Sequence, residues 1–117
     1  MTSTDYDHPY SETANAGKTV FVSGCLPLDE DENLAPAGKP AMDAALKTVE
    51  RRLVKAGLAL SDVVKLTYFV TDIGYRAFAN DQYVDNFSEP RPARTVVQVA
   101  GLPRGATVEI DAIAHRA

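Results

Sequence analysis

Arginine and carboxylate side chains recur at alternate positions near the carboxyl end of the chain, in two segments that predict strands. Residues 91–100 and 107–114 are rich in β-branched and apolar residues. A Gly/Pro-rich segment separates them, which predicts a β-hairpin. Because side chains alternate along a strand, each strand is expected to carry its polar residues on one face. These faces hold Arg94, Val96 and Gln98 in the first strand and Thr107, Glu109 and Asp111 in the second.

A guanidinium near carboxylates can do two different things. It binds the carboxylate of a small acid through two parallel hydrogen bonds, which fixes the position and orientation of that acid. It also forms structural ion pairs, and composition alone favours a salt bridge from Arg94 to Glu109 or Asp111. Taken alone, Glu109 would more often be a solvated strand residue than a catalytic acid or base.

The rest of the chain predicts the elements that must position these residues. Apolar positions alternate in the strand segments and recur at three- and four-residue steps in the helix segments. The predicted elements are a short polar strand after Tyr10, a strand at 19–24, a helix at 40–56 ended by Gly57, a strand at 62–73 and a helix at 75–87. This order predicts an α+β fold with both helices on one face of a mixed sheet.

The other sheet face is expected to be half polar and half apolar, since it would carry Lys65, Thr67, Arg94, Gln98, Glu109 and Asp111. An uncovered face of this kind in a small domain usually packs on another subunit.

Composition restricts the class of protein. The chain has 117 residues and a net charge of −4, so we expect one domain over residues 1–117, with residues 1–8 loosely ordered. The acidic balance argues against nucleic acid as a partner. No apolar run is long enough for a membrane span, and no signal peptide is evident. Cys25 is the single cysteine, so the expected location is a reducing cytoplasm.

Other site chemistries find little support in the sequence. Two histidines and one cysteine show no spacing typical of a zinc site. There is no phosphate-binding loop followed by a lysine and no nucleophile elbow. We therefore expect neither a metal nor a cofactor.

The segment PARTVVQVAGLPRGATVEIDAIA, residues 92–114, closely resembles the C-terminal signature of the RidA/YjgF family, the reactive-intermediate (enamine/imine) deaminases. The resemblance implies a chorismate-mutase-like fold and a homotrimer around an inner β-barrel. It also implies cofactor-free sites in the clefts between subunits, which take small carboxylate substrates.

The resemblance also implies roles for individual residues. Arg94 matches the family's carboxylate-binding arginine, and Glu109 matches the acid that helps to hold or activate the hydrolytic water. Substrate-binding roles are implied for Tyr10, Ser23, Gly24, Asn80 and the backbone of Val96. Other interpretations stay open: the tyrosine could anchor the terminus, and an asparagine in mid-helix is usually solvent-exposed.

Some positions depart from the family pattern. Val96 stands where active deaminases typically carry cysteine, Cys25 where glutamine is frequent, and the loop at 88–92 looks short. The leading expectation is hydrolysis of small 2-imino or 2-enamino acids, such as 2-aminoacrylate, to 2-oxo acids and ammonia. The alternatives are a pathway-specific hydrolase for another unstable carboxylate and a non-catalytic trimer that binds small carboxylates. Endoribonuclease activity, ascribed to some relatives, ranks last because of the acidic balance.

Overall fold

Five strands form one mixed sheet, and two α-helices pack against one of its faces, in a computed structural model that describes residues 8–117. The strands are β1 (Thr13–Ala16), β2 (Thr19–Cys25), β3 (Val63–Val70), β4 (Ala93–Gln98) and β5 (Val108–His115), and the helices are α1 (Lys39–Lys55) and α2 (Arg76–Asn86). Short 3-10 turns lie at Leu60–Asp62, Ile73–Tyr75 and Pro103–Gly105. The predicted α+β fold with two helices is confirmed.

The strand pairing differs from the predicted hairpin. The order across the sheet is β1-β2-β5-β3-β4, so β3 lies between the two C-terminal strands. β5 pairs antiparallel with both β2 and β3, whereas β4 pairs parallel with β3. Parallel neighbours need a crossover connection, and α2 supplies it between β3 and β4. The hairpin prediction was therefore wrong.

The predicted faces were also partly wrong. Arg94 pairs with Leu66 of β3, whose side chain is fully buried beneath the helices. The side chain of Arg94 accordingly points toward α2, and Val96, on the same side of β4, packs against the core. Glu109 lies on the opposite face, because its neighbours Val108 and Ile110 are the buried residues of β5.

Helix α1 closes the core over β2 and β5. Pro40 stands in its first turn, and Gly57, just beyond its end, has a φ of +78°, which glycine adopts without strain. The predicted apolar stripe is buried at Met42, Ala45, Leu46, Val49 and Leu53. The same buried face also carries Arg52, only 6% exposed, which the apolar pattern did not predict.

The described part of the chain begins at His8. Residues 1–7, to which most of the predicted loosely ordered segment belongs, lie outside the described residues. His8 is described, and its ring stacks on that of Tyr10 with centroids 4.1 Å apart. Between residues 8 and 117, no helix combines the length and apolar character needed to cross a membrane.

Candidate functional site

A cavity of about 350 Å³ opens where β2 ends beside β5. Its lining includes four of the residues expected at the site: Tyr10, Ser23, Gly24 and Glu109. Leu26 and the turn residues Pro103 and Arg104 complete it. The structure therefore places a carboxyl group and two hydroxyl groups side by side in one cavity.

Local backbone geometry brings Ser23 and Gly24 to this cavity. The pairing of β2 with β5 shifts register between Val22 and Cys25, a β-bulge that re-aims the strand. The hydroxyl of Ser23 donates to the carbonyl oxygen of Ser11 at 2.6 Å, and this bond holds the amino-terminal segment against β2. The Ser23 oxygen keeps acceptor capacity for a ligand or water.

Gly24 packs directly on the carboxyl group of Glu109. A Cβ atom at position 24 would lie 2.7 Å from Cδ and 2.8 Å from Oε1 of Glu109. Distances below about 3.0 Å are not adopted by real Cβ atoms. Glycine at this position therefore leaves the room that the carboxyl group occupies.

Burial and a neighbouring acid raise the pKa of Glu109. Desolvation is the larger cause, the charge of Asp111 adds to it, and the guanidinium of Arg52 opposes both. A raised pKa brings a carboxylate closer to the operating pH, which makes it a better general base. Burial also raises the pKa of Asp111, whereas a hydrogen bond with Thr67 and the charge of Lys65 lower it.

Arg94 lies in a second cluster, between β4 and α2. Its Nη2 donates to Oδ1 of Asn80 at 2.6 Å, and its guanidinium lies 4.9 Å from the ring centroid of Tyr83 and 5.8 Å from that of Tyr68. Aromatic faces stabilise a cation at these distances. The other terminal nitrogen, Nη1, is buried and has no hydrogen-bond partner among the described residues.

The structure does not bring Arg94 and Glu109 together within one chain. They lie on opposite faces of the sheet, and β3 separates their strands. Within residues 8–117, no carboxylate lies within 4.0 Å of Arg94. The interpretation of Arg94 as the partner of Glu109 or Asp111 in a salt bridge was therefore wrong. Asn80, which the resemblance placed at the site, lies in the arginine cluster, where its Oδ1 accepts the bond from Arg94.

The two positions that depart from the family pattern have ordinary structural roles. Cys25 is fully buried, and its thiol donates to the carbonyl oxygen of Ser23 at 3.2 Å. Burial raises the pKa of Cys25 to about 12, so the thiol stays protonated and is a poor nucleophile. The side chain of Val96 packs against the core cluster, which is a structural role and not a chemical one.

Sequence reasoning missed several residues of both clusters. Tyr68 and Tyr83 looked like ordinary core positions, although they form the aromatic walls around Arg94. Arg104 comes from the Gly/Pro turn, where nothing in the pattern marked it. Arg52 carried a readable signal: it continues the buried stripe of α1, seven residues after Ala45 and three after Val49, where an apolar residue is expected.

The chemical groups that the described residues bring to the two clusters are a guanidinium, carboxyl groups and hydroxyl groups. From His8 to the carboxyl end, no group of three or more His, Cys, Asp or Glu side chains is arranged to hold a metal ion. The fold and the site define a small α+β protein whose mixed sheet carries a half-buried arginine cluster on one face and a cavity with a half-buried carboxyl group on the other.

Comparison with known proteins identifies the family. A sequence model described as Endoribonuclease L-PSP matches residues 2–116, and the chain belongs to this family, which is also the RidA/YjgF family. An Escherichia coli K12 protein with the provisional name reactive intermediate deaminase TdcF is 37% identical over 112 residues, which cover 92% of this chain and 87% of TdcF.

Solved structures show the same fold. RidA from the Antarctic bacterium Psychrobacter sp. PAMC 21119 is 38% identical, with a TM-score of 0.88 over 92% of this chain and 89% of its own. Escherichia coli TdcF with bound serine is 34% identical, with a TM-score of 0.87 over 96% of this chain and 91% of its own. The resemblance on which the sequence analysis depended is thereby confirmed.

Proposed function

We propose that this protein is a cofactor-independent enamine/imine deaminase that hydrolyses small 2-imino acids to 2-oxo acids and ammonia. The observation that carries the proposal is the buried Nη1 atom of Arg94, which lacks a partner among the described residues while Nη2 is held by Asn80. A buried guanidinium nitrogen without an acceptor is unfavourable. A carboxylate oxygen from a substrate would satisfy it.

The substrate class follows from this arginine. Its orientation is fixed by Asn80 and by the rings of Tyr68 and Tyr83, so one edge of the guanidinium remains for a ligand. A planar carboxylate matches this edge better than a single point charge does. The net charge of −4 also favours a small acid over a nucleic acid polyanion.

Glu109 supplies the proton transfers in the proposed reaction. Water adds to the carbon of the C=N bond, and Glu109 takes a proton from that water and passes it to the nitrogen, which gives a neutral carbinolamine. Glu109 then takes the proton of the new hydroxyl group and passes it to the amino nitrogen. The C–N bond breaks, ammonia leaves with the bonding electron pair, and the C–OH group becomes the C=O group of the 2-oxo acid. The raised pKa of Glu109 suits a group that must accept and return protons. Tyr10, Ser23 and Gly24 line the same cavity and are proposed to orient the substrate.

The site is proposed to be shared between subunits of a homotrimer. Arg94 and Glu109 lie on opposite faces of one sheet, so a single chain cannot apply both to one small molecule. The helix-free sheet face exposes apolar side chains, among them Phe21 at 45% and Val97 at 39%. Such a face is stabilised by packing on another copy, which would also bring Arg94 of one subunit near Glu109 of the next.

The first test follows 2-oxo acid formation while an amino-acid oxidase generates 2-iminopropionate or 2-iminobutyrate. Wild-type protein should accelerate the release. Arg94→Ala should lower kcat/KM by roughly 100-fold or more, since one charge-assisted bidentate contact is worth several kcal/mol. Arg94→Lys should recover only part of the loss, because an ammonium cannot form the bidentate pair. Arg76→Ala, which removes an exposed arginine at the start of α2, is the matched control.

The same assay separates the rival functions. Full turnover by folded Arg94→Ala would refute the assignment of this arginine. Turnover of a bulkier imino acid in preference to 2-iminopropionate would favour a pathway-specific hydrolase. Saturable binding of 2-oxobutyrate without turnover of any imine would favour a carboxylate-binding protein. Val96→Cys would then be the first substitution to test for a gain of turnover.

A further inference from the structure

Arg52 carries a charge in the interior of the protein. It lies on the buried face of α1 among apolar residues and is 6% exposed. A buried guanidinium is tolerated only when hydrogen bonds and opposite charges compensate for its lost hydration. The partners that compensate the charge of Arg52 therefore indicate its role in the structure.

The partners of Arg52 lie at the candidate site or directly beside it, and they include the buried thiol of Cys25 at the end of β2. Nη1 donates to the carbonyl oxygens of Ser23 at 3.0 Å and of Gly24 at 3.4 Å. Nε lies 3.8 Å from Oε2 of Glu12, and the side chain also bonds with that of Tyr10. One side chain of α1 thus ties the end of β2 to the segment that carries Tyr10.

These contacts fall on an irregular piece of backbone. Ser23 and Gly24 occupy the bulge between Val22 and Cys25, and a bulge disrupts the ladder bonds of the strand. Arg52 supplies donors to the two bulge carbonyls, which fixes the direction of both peptide groups. Since Gly24 packs against the carboxyl group of Glu109, the position of the bulge limits where that carboxyl group can lie.

The charge of Arg52 acts on Glu109, although the side chain of Arg52 does not line the cavity that contains Glu109. The lining of the Glu109 cavity does not include Arg52, which instead lines a neighbouring cavity of about 370 Å³. The charged and titratable groups around Glu109 are Asp111 on its own strand, Cys25 at the end of β2, Arg52 on α1, and Tyr10 and Arg104 on the other walls. Burial and Asp111 raise the pKa of Glu109, and Arg52 opposes them.

We propose that Arg52 is a positioning residue: it fixes the Ser23–Gly24 bulge from behind and thereby the carboxylate of Glu109, without touching the substrate. The inference rests on the proposed function only for its kinetic readout. It assigns to α1 a direct part in the site, beyond closing the core.

The experiment compares Arg52→Met and Arg52→Lys with Arg51→Met. Arg51 is the exposed neighbour on the same helix, and its guanidinium bonds to Thr48 rather than to β2, so this control removes the same charge. For Arg52→Met, kcat should fall roughly 10- to 100-fold, the effect expected from a small misplacement of a catalytic group. The acid limb of its kcat/KM profile should move to higher pH, because the charge that lowers the pKa of Glu109 is gone.

Arg52→Lys keeps the charge but not the geometry. It should leave the acid limb near its wild-type position while kcat stays below wild type, since an ammonium cannot reach both carbonyls and Glu12 at once. Wild-type kcat and an unmoved acid limb in a folded Arg52→Met protein would overturn the inference, whatever the loss of Tm. If that variant does not fold, wild-type kcat in Arg52→Lys would overturn it.

A second measurement separates this inference from the proposed function. If the wild-type protein hydrolyses no imine, the proposed function fails, and the Gly24 amide and the carboxyl carbon of Glu109 are observed by NMR instead. Chemical-shift changes at the Gly24 amide and at the Glu109 carboxyl carbon in Arg52→Lys, which keeps the charge, would still support the positioning role if Arg51→Met lacks them. Wild-type chemical shifts at both positions in Arg52→Lys would refute it.

Discussion

Arg94 and Glu109 are both half-buried, but their surroundings suit them to different tasks. Around Arg94, an amide oxygen accepts a hydrogen bond and two aromatic faces contact the guanidinium, which suits the residue to binding an anion. Around Glu109, burial and Asp111 disfavour the negative charge. A carboxylate in such a place gains proton affinity, which suits a group that exchanges protons with water.

Gly24→Ala should separate the position of Glu109 from the stability of the fold. The φ of Gly24 is not in the left-handed region, so alanine introduces no backbone strain there. Its Cβ would overlap the carboxyl group of Glu109, which must swing away. We expect kcat/KM to fall roughly 10- to 100-fold with little change in Tm. Gly101→Ala is the control, because a Cβ at position 101 meets open space, and equal activity of both variants would contradict the argument.

Asp111→Asn should extend activity to lower pH. The pKa of Glu109 is raised above its usual value of 4.5, first by burial and then by the charge of Asp111, with Arg52 opposing. If the ionised form of Glu109 is the active one, activity is lost as the pH falls through this raised pKa. Removing the charge of Asp111 lowers the pKa of Glu109, so the acid limb of kcat/KM should shift downward. Arg52→Met should shift the acid limb in the opposite direction, to higher pH.

The pH profile of Asp85→Asn provides the comparison, since Asp85 is an exposed acid on α2. An acid limb that moves equally in both variants would show a general charge effect. An acid limb that moves in neither would mean that another group, not Glu109, controls the profile.

The types and spacing of the site residues were readable from the sequence, but their grouping was not. Tyr10, Ser23, Gly24 and Glu109 line one cavity, whereas Arg94 and Asn80 lie elsewhere, between β4 and α2. Arg94 was placed on the wrong face because a two-residue period shows which side chains share a face within one strand, not how the faces of two strands correspond. The spacing of α1 marked Arg52 as a charged residue on the buried stripe, but its partners, two backbone carbonyls, could not be read from residue types.

At the scale of elements, the helices and strands were predictable and their pairing was not. Local periodicity fixed α1, α2 and β3 to within a few residues. The insertion of β3 between β4 and β5 is a choice among long-range pairings that local pattern does not encode. One physical signal favoured it: the β3-α2-β4 unit is a crossover, and crossovers join parallel neighbours in a sheet.

A buried hydrogen-bond chain holds α2 where it can support Arg94. The hydroxyl of Tyr68 donates to Oε1 of Gln82 at 3.0 Å, and Nε2 of Gln82 donates to Asp43 of α1 at 2.9 Å. Tyr68 and Gln82 are both buried. These bonds link β3, α2 and α1, so they fix the helix that also presents Asn80.

Tyr68→Phe should therefore destabilise the protein. It leaves the oxygen of Gln82 without its donor, and an unsatisfied buried group costs about 1–3 kcal/mol of unfolding free energy. Urea unfolding at a fixed protein concentration measures the change. Tyr75→Phe, at the half-buried start of α2, should change the unfolding free energy by less than about 0.5 kcal/mol. Equal effects of the two substitutions would show that the chain of bonds contributes nothing.

The two faces of the sheet differ in how they are covered. One sheet face is covered by both helices, while the other exposes Phe21 and Val97 beside Lys65, Thr67 and Asp111. Replacing Phe21 by Asp should weaken self-association if this face packs on another copy, since it buries a charge in an apolar contact. Sedimentation of wild type and variant over a range of concentrations measures this, and unchanged association would place the interface elsewhere.

Mixing inactive subunits tests the shared site directly. Arg94→Ala and Glu109→Gln each remove one of the two charged groups, which lie on opposite faces of the same chain. In a closed ring, a site that takes Arg94 from one subunit and Glu109 from the next is complete when a Glu109→Gln subunit precedes an Arg94→Ala subunit. Random mixing in equal amounts should restore about a quarter of the wild-type turnover. Each variant alone should stay inactive, and a mixture that stays inactive after subunit exchange would mean that the two residues do not serve one site.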